Sequence, residues 1–202
     1  MAAVADRIIK RIRGKGRGWA FTPKDFLDLG TRASVDMALT RLVQAGRIRR
    51  IGRGLYDYPK LHDRLGALTP DADTIAQAVA TQSGDKVVVS GAQSANRLGI
   101  STQVPAKSSY ATSGLTRVKK VAGRTIALKR SSAPILDNGS GNANAVLQML
   151  AHVGKASVDD DLIRRLAARL DDRDIKALKK VQPLMPGWMS DVVLKMGMVL
   201  HG

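Results

Sequence analysis

Side chains that could recognise DNA bases gather on one face of a predicted helix over residues 32–44. Thr31 is a suitable cap for its start. The apolar side chains that repeat at helical spacing are Val35, Ala38, Leu39, Leu42 and Val43. The opposite face carries Ala33, Ser34, Met37, Thr40, Arg41 and Gln44. Because arginine suits guanine and glutamine suits adenine, Arg41 and Gln44 predict a helix that enters the major groove of DNA.

Four arginines follow this helix on a predicted β-hairpin. Residues 47–51 and 55–58 indicate two strands, and the glycine-rich turn between them is Gly52-Arg53-Gly54. Arginines on such a wing would lie beside phosphates or reach a minor groove, although a helix and hairpin could also pack on protein. The predicted DNA contacts of the helix and the wing are Thr31, Arg32, Ser34, Met37, Thr40, Arg41, Gln44, Arg47, Arg49, Arg50 and Arg53.

The residues before the helix predict the elements that would position it. Residues 3–13 indicate an amphipathic helix with a basic outer side. Thr22 and Pro23 indicate the start of a short second helix, and Gly30 is expected to end it in a left-handed conformation. Trp19 and Phe21 are expected to close a small core. This order of elements predicts a winged helix-turn-helix domain over residues 1–60.

Charge supports a polyanionic partner. The 202 residues carry 33 Lys and Arg against 17 acids, all of them Asp, for a net charge of +16. Residues 1–60 alone hold fourteen Lys or Arg against five Asp. Nucleic acid is a better partner for this surplus than a membrane, because no amphipathic anchor accompanies it. The absence of Cys, of a secretory signal and of any run of membrane-spanning length leads us to expect a cytoplasmic protein.

Residues 61–202 predict a second domain with a small mixed sheet and a helical end, so the whole chain is expected to be α+β. Residues 59–69 are interpreted as a linker, 70–135 as the sheet-containing part and 143–197 as the helical part. Helices are predicted at 70–82, 91–99, 145–153, 159–170, 171–181 and from Pro186 to Met196, and strands at 86–90, 108–112, 117–121 and 124–129. The loop over residues 137–142 is interpreted as a boundary.

A second basic tract runs from residue 86 to residue 130, with nine Lys or Arg and no acid. It could follow nucleic acid or meet an acidic protein, and a solvated sheet face would explain it equally well. The candidate residues are Lys107, Arg117, Lys119, Lys120, Arg124, Lys129 and Arg130.

Catalytic and metal-binding patterns are weak. His62, His152 and His201 are scattered, without the spacing of a catalytic triad or a metal site. The acids at 159–161 are better explained as a helix cap than as metal ligands. The glycine turn at Gly91 could bind an anion but is interpreted as an ordinary strand-to-helix turn. We therefore expect no enzyme activity, no cofactor and no metal.

Several segments together resemble the AbiEi-like antitoxins of prokaryotic type IV toxin–antitoxin systems, specifically a short branch with one compact C-terminal region. These segments are GRIRRIGRGLYDYP, VVVSGAQSANRLGISTQVPAK, VKKVAGRTIALKR and the helical end. The resemblance implies that the winged helix binds inverted repeats in its own promoter and represses it. It also implies that residues 61–202 counteract a nucleotidyltransferase-like toxin, with or without direct contact.

Two further expectations accompany that resemblance. We expect a monomer in solution, because two copies that bind cooperatively to the repeats need no stable dimer. The alternative is an architectural nucleic-acid-binding protein with no toxin partner. It would explain the net charge but assigns no function to the capped helices after residue 137.

Overall fold

The protein has an α+β fold in a computed structural model that describes residues 4–103, 108–136 and 141–201. The chain forms two compact units. The first contains Met1–Asp85 and Val118–Ile126, and the second contains Lys86–Arg117 and Ala127–Gly202. The first unit thus extends beyond the predicted domain of residues 1–60, and the boundary after residue 60 stays a prediction.

The first unit begins with the element order of a winged helix. Helix α1 spans Val4–Lys15, strand β1 spans Ala20–Phe21 and a 3₁₀ helix spans Pro23–Phe26. Helix α2 spans Arg32–Gln44 and is followed by strands β2, Arg49–Gly52, and β3, Leu55–Asp57. The three strands form an antiparallel sheet in the order β1-β3-β2. The predicted winged helix-turn-helix topology is therefore confirmed.

Aromatic rings fill the core between these helices and the sheet. The centroid of the Phe21 ring lies 4.8 Å from that of Trp19 and 5.4 Å from that of Phe26, whose ring meets it edge-on. Ile8 and Ile12 of α1 are fully buried in the same cluster. Edge-on and offset rings at these distances stabilise a small core beyond the area they bury. Trp19 is thus a core side chain, as predicted.

The turn before α2 differs from the prediction. The 3₁₀ helix is capped by Thr22 and Asp25, which exchange hydrogen bonds with each other's backbone, and it ends at Phe26. Gly30 does not adopt a left-handed conformation, so the prediction that it ends a helix in that way is wrong. Its small size matters instead, because a β-carbon there would lie 2.7 Å from Oγ of Ser34. The chain passes too close to α2 for a larger residue.

The predicted linker over residues 59–69 contains a small hairpin. Strand β4, Leu61–His62, pairs with strand β5, Gly66–Ala67, in antiparallel register. Nδ1 of His62 accepts hydrogen bonds from the backbone amides of Arg64 and Leu65, which closes the turn. Strands of two residues are too short to show an alternating pattern, so sequence periodicity could not reveal them. Helix α3 follows at Ala72–Ser83, with Asp71 as its cap.

The second half of the chain contains a four-stranded mixed sheet, as predicted. Its strands are β6, Val87–Val89, β7, Ser109–Thr112, β8, Arg117–Val121, and β9, Arg124–Arg130, in the order β6-β7-β9-β8. Strand β7 runs antiparallel to β6 and parallel to β9. Ala122 and Gly123 both have positive φ, 49° and 77°, at the turn from β8 to β9. Such a turn matches the twist of a two-residue hairpin.

Helices dominate the second unit. Helix α4 spans Gly91–Arg97, and the C-terminal helices are α5, Gly141–Val153, α6, Asp160–Ala167, α7, Asp172–Lys180, and α8, Gly187–His201. Their core is aliphatic and sulfur-containing, with buried Leu147, Met149, Leu150, Leu166, Leu178, Val193 and Met196. Helices α5 and α8 extend beyond their predicted limits. Four residues of the predicted boundary loop, 137–140, lie outside the described residues.

Candidate nucleic-acid interface

Local hydrogen bonds set both ends of α2. Oγ1 of Thr31 accepts from the amide of Ser34, whose hydroxyl donates back to the carbonyl of Thr31 at 2.8 Å. At the other end the amides of Gly46 and Arg47 donate to the carbonyls of Val43 and Leu42, each at 2.9 Å. This pair of bonds is a Schellman motif. The predicted limits of the helix are confirmed because each depends on residues within one turn.

The two faces of α2 separate as predicted. Val35, Ala38 and Leu39 are buried, and Leu42 and Val43 pack partly buried against the same core. Met37 is 56% exposed, and Thr31, Arg32, Ala33, Thr40, Arg41 and Gln44 are also exposed, with Ser34 half-buried. The outer face is therefore accessible to a partner.

Side chains on that outer face differ in the hydrogen bonds that they make within the protein. Nε of Arg32 donates to the carboxylate of Asp36 at 2.8 Å, and the hydroxyl of Thr40 donates to the Asp36 carbonyl. Among the residues that the structure describes, the side chain of Arg41 makes one polar contact, 3.4 Å from Nη2 to Sδ of Met37. Since thioether sulfur is a weak acceptor, the donors of Arg41 remain available for a base edge.

The wing is the β2–β3 hairpin, and its turn consists of Arg53 and Gly54. Gly52 pairs with Leu55 inside the sheet, so the predicted three-residue turn is one residue shorter, and a register shift lies between Arg50 and Gly52. Gly54 has φ of +65°, which L side chains rarely adopt. The carbonyl of Arg53 accepts a 2.7 Å hydrogen bond from Nε2 of Gln82 in α3. The tip is thereby attached to a helix that lies far from it in sequence.

Arg49 is committed to the protein itself. Its Nε and Nη2 donate to both oxygens of Asp57, at 3.0 and 2.5 Å, and the Asp57 side chain is fully buried. Its Nη1 and Nη2 also donate to the carbonyls of Ala67 and Leu68. Four of the five N–H donors of a guanidinium are thus used inside the first unit. Contacts within the protein therefore account for the position of the Arg49 side chain, and its contact with DNA stays a prediction.

The other three wing arginines differ from Arg49. Arg47, Arg50 and Arg53 are exposed, and none of them forms an ion pair within the described residues. Arg50 makes one long contact, 3.4 Å from Nε to the carbonyl of Gly52. These three side chains could therefore meet phosphates at little internal cost.

Basic residues near α1 hold the preceding turn. Arg11 donates to both oxygens of Asp28 at 2.7 and 2.6 Å, and this contact lowers the pKa of Asp28. Arg7 donates to the carbonyl of Leu29. In the loop after α1, the guanidinium of Arg17 stacks 4.7 Å from the centroid of the Tyr58 ring and donates to the carbonyl of Pro59. Part of the basic surplus is therefore structural.

The second basic tract divides between the two units. Lys119, Lys120 and Arg124 belong to the first unit, whereas Arg117, Lys129 and Arg130 belong to the second. Lys107 lies outside the described residues. Lys120, Arg124, Lys129 and Arg130 are exposed, while Arg117 and Lys119 are half-buried. The tract therefore contributes residues to both units, and its role toward nucleic acid or a partner stays a prediction.

The glycine at the start of α4 has a packing role. A β-carbon on Gly91 would lie 2.3 Å from the Gln148 carbonyl oxygen and 2.3 Å from Cβ of His152 in α5. Glycine therefore lets the two helices approach each other, which supports the interpretation of an ordinary turn. A cleft of about 250 Å³ beside it is lined in part by Ser90, Lys129 and His152.

Neither a metal-binding cluster nor a membrane-spanning helix is found among the residues that the structure describes. No group of three or more His, Cys, Asp or Glu side chains there is arranged to hold a metal ion. No helix there is both long enough and apolar enough to cross a membrane.

Sequence reasoning missed Gln82, which joins the wing tip to Lys119, and the anchoring of Arg49 by Asp57. Neither has a local signal, because the partners are 8 to 37 residues apart.

Comparison with known proteins identifies a family for most of the chain. A search of the curated proteins finds no match. The model of DUF6088, a family of unknown function, matches residues 7–178, which is most of the sequence. It covers α1, the wing, the mixed sheet and the helices through most of α7. The chain is therefore a member of the DUF6088 family.

Proposed function

We propose that this protein is the antitoxin and transcriptional autorepressor of a type IV toxin–antitoxin operon. Its winged helix binds inverted repeats in the promoter, with α2 in the major groove and the wing tip beside phosphates. The observation that carries the DNA-binding role is the accessible outer face of α2, followed by a wing whose Arg47, Arg50 and Arg53 are exposed. A helix and a basic hairpin in this order are a recurring arrangement for DNA reading.

The antitoxin role has a different basis. It rests on the resemblance of the quoted segments to AbiEi-like antitoxins, in which the C-terminal region counteracts a nucleotidyltransferase-like toxin. The protein itself carries out no catalysis in this proposal and needs no cofactor. It acts in the cytoplasm, where the promoter is, as a monomer that binds the repeats cooperatively.

Arg41 provides the test of sequence-specific binding. Arg41→Ala removes the side chain best placed to donate to a guanine, and it should weaken operator binding by roughly 1–3 kcal/mol while affecting random DNA less. Titration of both duplexes by fluorescence anisotropy measures the two losses. Arg173→Ala is a matched control, because Arg173 is also an exposed arginine on a helix but lies in the second unit. Equal losses on operator and random DNA would reduce Arg41 to a phosphate contact.

The antitoxin role needs its own experiment. The proposal predicts a nucleotidyltransferase-like toxin encoded in the same operon. The chain is expressed together with that toxin, and we expect growth to recover. Failure of rescue with intact operator binding would remove the antitoxin role and leave the repressor.

A nonspecific architectural role is the second candidate, and the net charge of +16 favours it. Footprinting separates the two. A repressor protects defined repeats upstream of its own operon, whereas an architectural protein protects any duplex that is offered.

A further inference from the structure

We infer that the β8–β9 hairpin is a second wing, which binds phosphates of the same DNA duplex as the β2–β3 wing. This inference rests on the proposed DNA-binding function and assigns a task to one part of the second basic tract. The hairpin segment concerned is Val118–Ile126, which belongs to the first unit together with the winged helix.

A single glutamine joins the two hairpins. Nε2 of Gln82 donates to the carbonyl of Arg53 at the wing tip, at 2.7 Å, and its Oε1 accepts from Nζ of Lys119 in β8 at 2.8 Å. Both polar ends of the amide are used, so its orientation is determined by its two partners. The carbonyl at the wing tip and the ammonium group of Lys119 are therefore separated by the length of one amide group.

The space around Gly52 shows that β8 also lies near the wing. A β-carbon placed on Gly52 would lie 4.0 Å from Cγ1 of Val121, which is ordinary van der Waals distance. Val121 is 4% exposed, so this side of the hairpin is buried. Because side chains alternate along a strand, Lys119 and Val121 face inward while Lys120 and Val118 face outward, and Val118 is 64% exposed.

The outward side of this hairpin carries two exposed cations. Lys120 and Arg124 are exposed, and neither forms an ion pair within the described residues. The acid that Arg124 influences is Asp71. Burial acts to raise the pKa of Asp71, but its hydrogen bonds with Thr74 and the charges of Lys60 and Arg124 lower it. The Asp71 carboxylate at the start of α3 thus offsets part of the positive charge of Arg124, and the charge of Lys120 is not offset in this way.

The wing alone has few cations for a phosphate backbone. Arg49 is used by Asp57, so Arg47, Arg50 and Arg53 are the exposed wing arginines that form no ion pair within the described residues. Lys120 and Arg124 add two exposed cations to this set. A duplex presents phosphates in a continuous row, so a second basic hairpin next to the first extends the contact along the backbone without reading sequence.

The test is the salt dependence of DNA binding. Lys120→Ala with Arg124→Ala is compared with Lys129→Ala with Arg130→Ala, which removes the same charge from the same strand pair but in the second unit. Dissociation constants for a random duplex and an operator duplex are measured over a range of NaCl concentrations. We expect the first variant to lower the slope of log K against log salt by about one unit per cation, equally for both duplexes. The control should keep the slope of the native protein.

Each outcome has a definite meaning. If the native protein binds no duplex, the proposed function fails and the second wing fails with it. If the native protein binds and the slope of Lys120→Ala with Arg124→Ala does not change, only the second wing is overturned, as it would be for a hairpin that meets an acidic protein. Equal slope losses in both variants would also overturn it. Lys120→Gln with Arg124→Gln, checked by thermal melting, repeats the test with side chains of similar length.

Discussion

The base and the tip of the wing use the same residue type in opposite ways. At the base, Arg49 holds the fully buried carboxylate of Asp57 and two carbonyls of the β5 region. At the tip, the Arg53 side chain is exposed, and its backbone carbonyl accepts a hydrogen bond from Gln82. The two arginines are four positions apart in the sequence. An arginine cluster therefore does not predict which of its members are available to a partner.

The difference has a simple physical cause. A carboxylate removed from water must be paired, and a guanidinium in two-pronged contact is the best available partner. Arg49 and Asp57 lie directly opposite each other in the β2–β3 ladder, so the sheet register brings them together. Among the described residues of the first unit, Asp57 is the buried acid, and it pairs with Arg49 and not with the tip. Substitutions in the wing can test this contrast by separating stability from DNA binding.

Arg49→Ala is expected to produce the largest effect. It leaves Asp57 buried and unpaired, so the free energy of unfolding should fall by about 3 kcal/mol, the lower end for a broken buried pair because Arg49 is itself 36% exposed. Urea denaturation of the purified chain measures the change.

Arg53→Ala is the matched control for that prediction. The tip arginine should alter the free energy of unfolding by less than about 0.5 kcal/mol. The contrast between base and tip would be lost if both variants destabilised the protein equally.

Gly54→Ala should have a smaller effect and tests how the tip is held. The left-handed backbone at this position costs an L residue about 1–2 kcal/mol, and the added β-carbon would lie 2.8 Å from Nε2 of Gln82. The control is Gly123→Ala, where φ is +77° but nothing lies within 4 Å. A greater loss of stability at Gly54, measured by thermal unfolding, would show the contact with Gln82. Equal losses of stability in Gly54→Ala and Gly123→Ala would attribute the effect to backbone strain alone.

Asp71→Ala should have the smallest effect and depends on pH. Asp71 caps α3 just after the segment that Arg49 holds, and loss of such a cap costs about 1 kcal/mol. The pKa of Asp71 is lowered in the folded protein, so its stabilisation is present above the unfolded pKa of about 3.9. It disappears as the pH falls through the folded pKa.

Unfolding at pH 7 and at successively lower pH compares the native chain with this variant, and the gap between them should close in acid. Asp73→Ala keeps the cap and serves as the control. A gap that is independent of pH would contradict the assignment of the charge effect to Asp71.

Several elements were predictable because their signals are local. Thr31 and Gly46 lie at the two ends of α2, and each acts within one turn of the helix. The limits of α2 agree with the prediction. Trp19 packs partly buried against the aromatic core, in agreement with its prediction as a core residue.

Other features depended on partners that no local pattern reveals. The turn before α2 uses a 3₁₀ helix and a close approach at Gly30 in place of a left-handed stop. The β4–β5 hairpin is too short to produce periodicity. The division of the second basic tract depends on which residues pack beside α3.

The sequence by itself determined the winged-helix order, the caps of α2 and the chemistry of its exposed face, because helix caps and side-chain periodicity act over a few residues. Only the tertiary structure decided that Arg49 serves Asp57 while Arg53 does not, and that Lys119 meets Gln82. Pairing of a buried charge depends on which side chains the folded chain brings within about 3 Å, and such neighbours are distant in sequence.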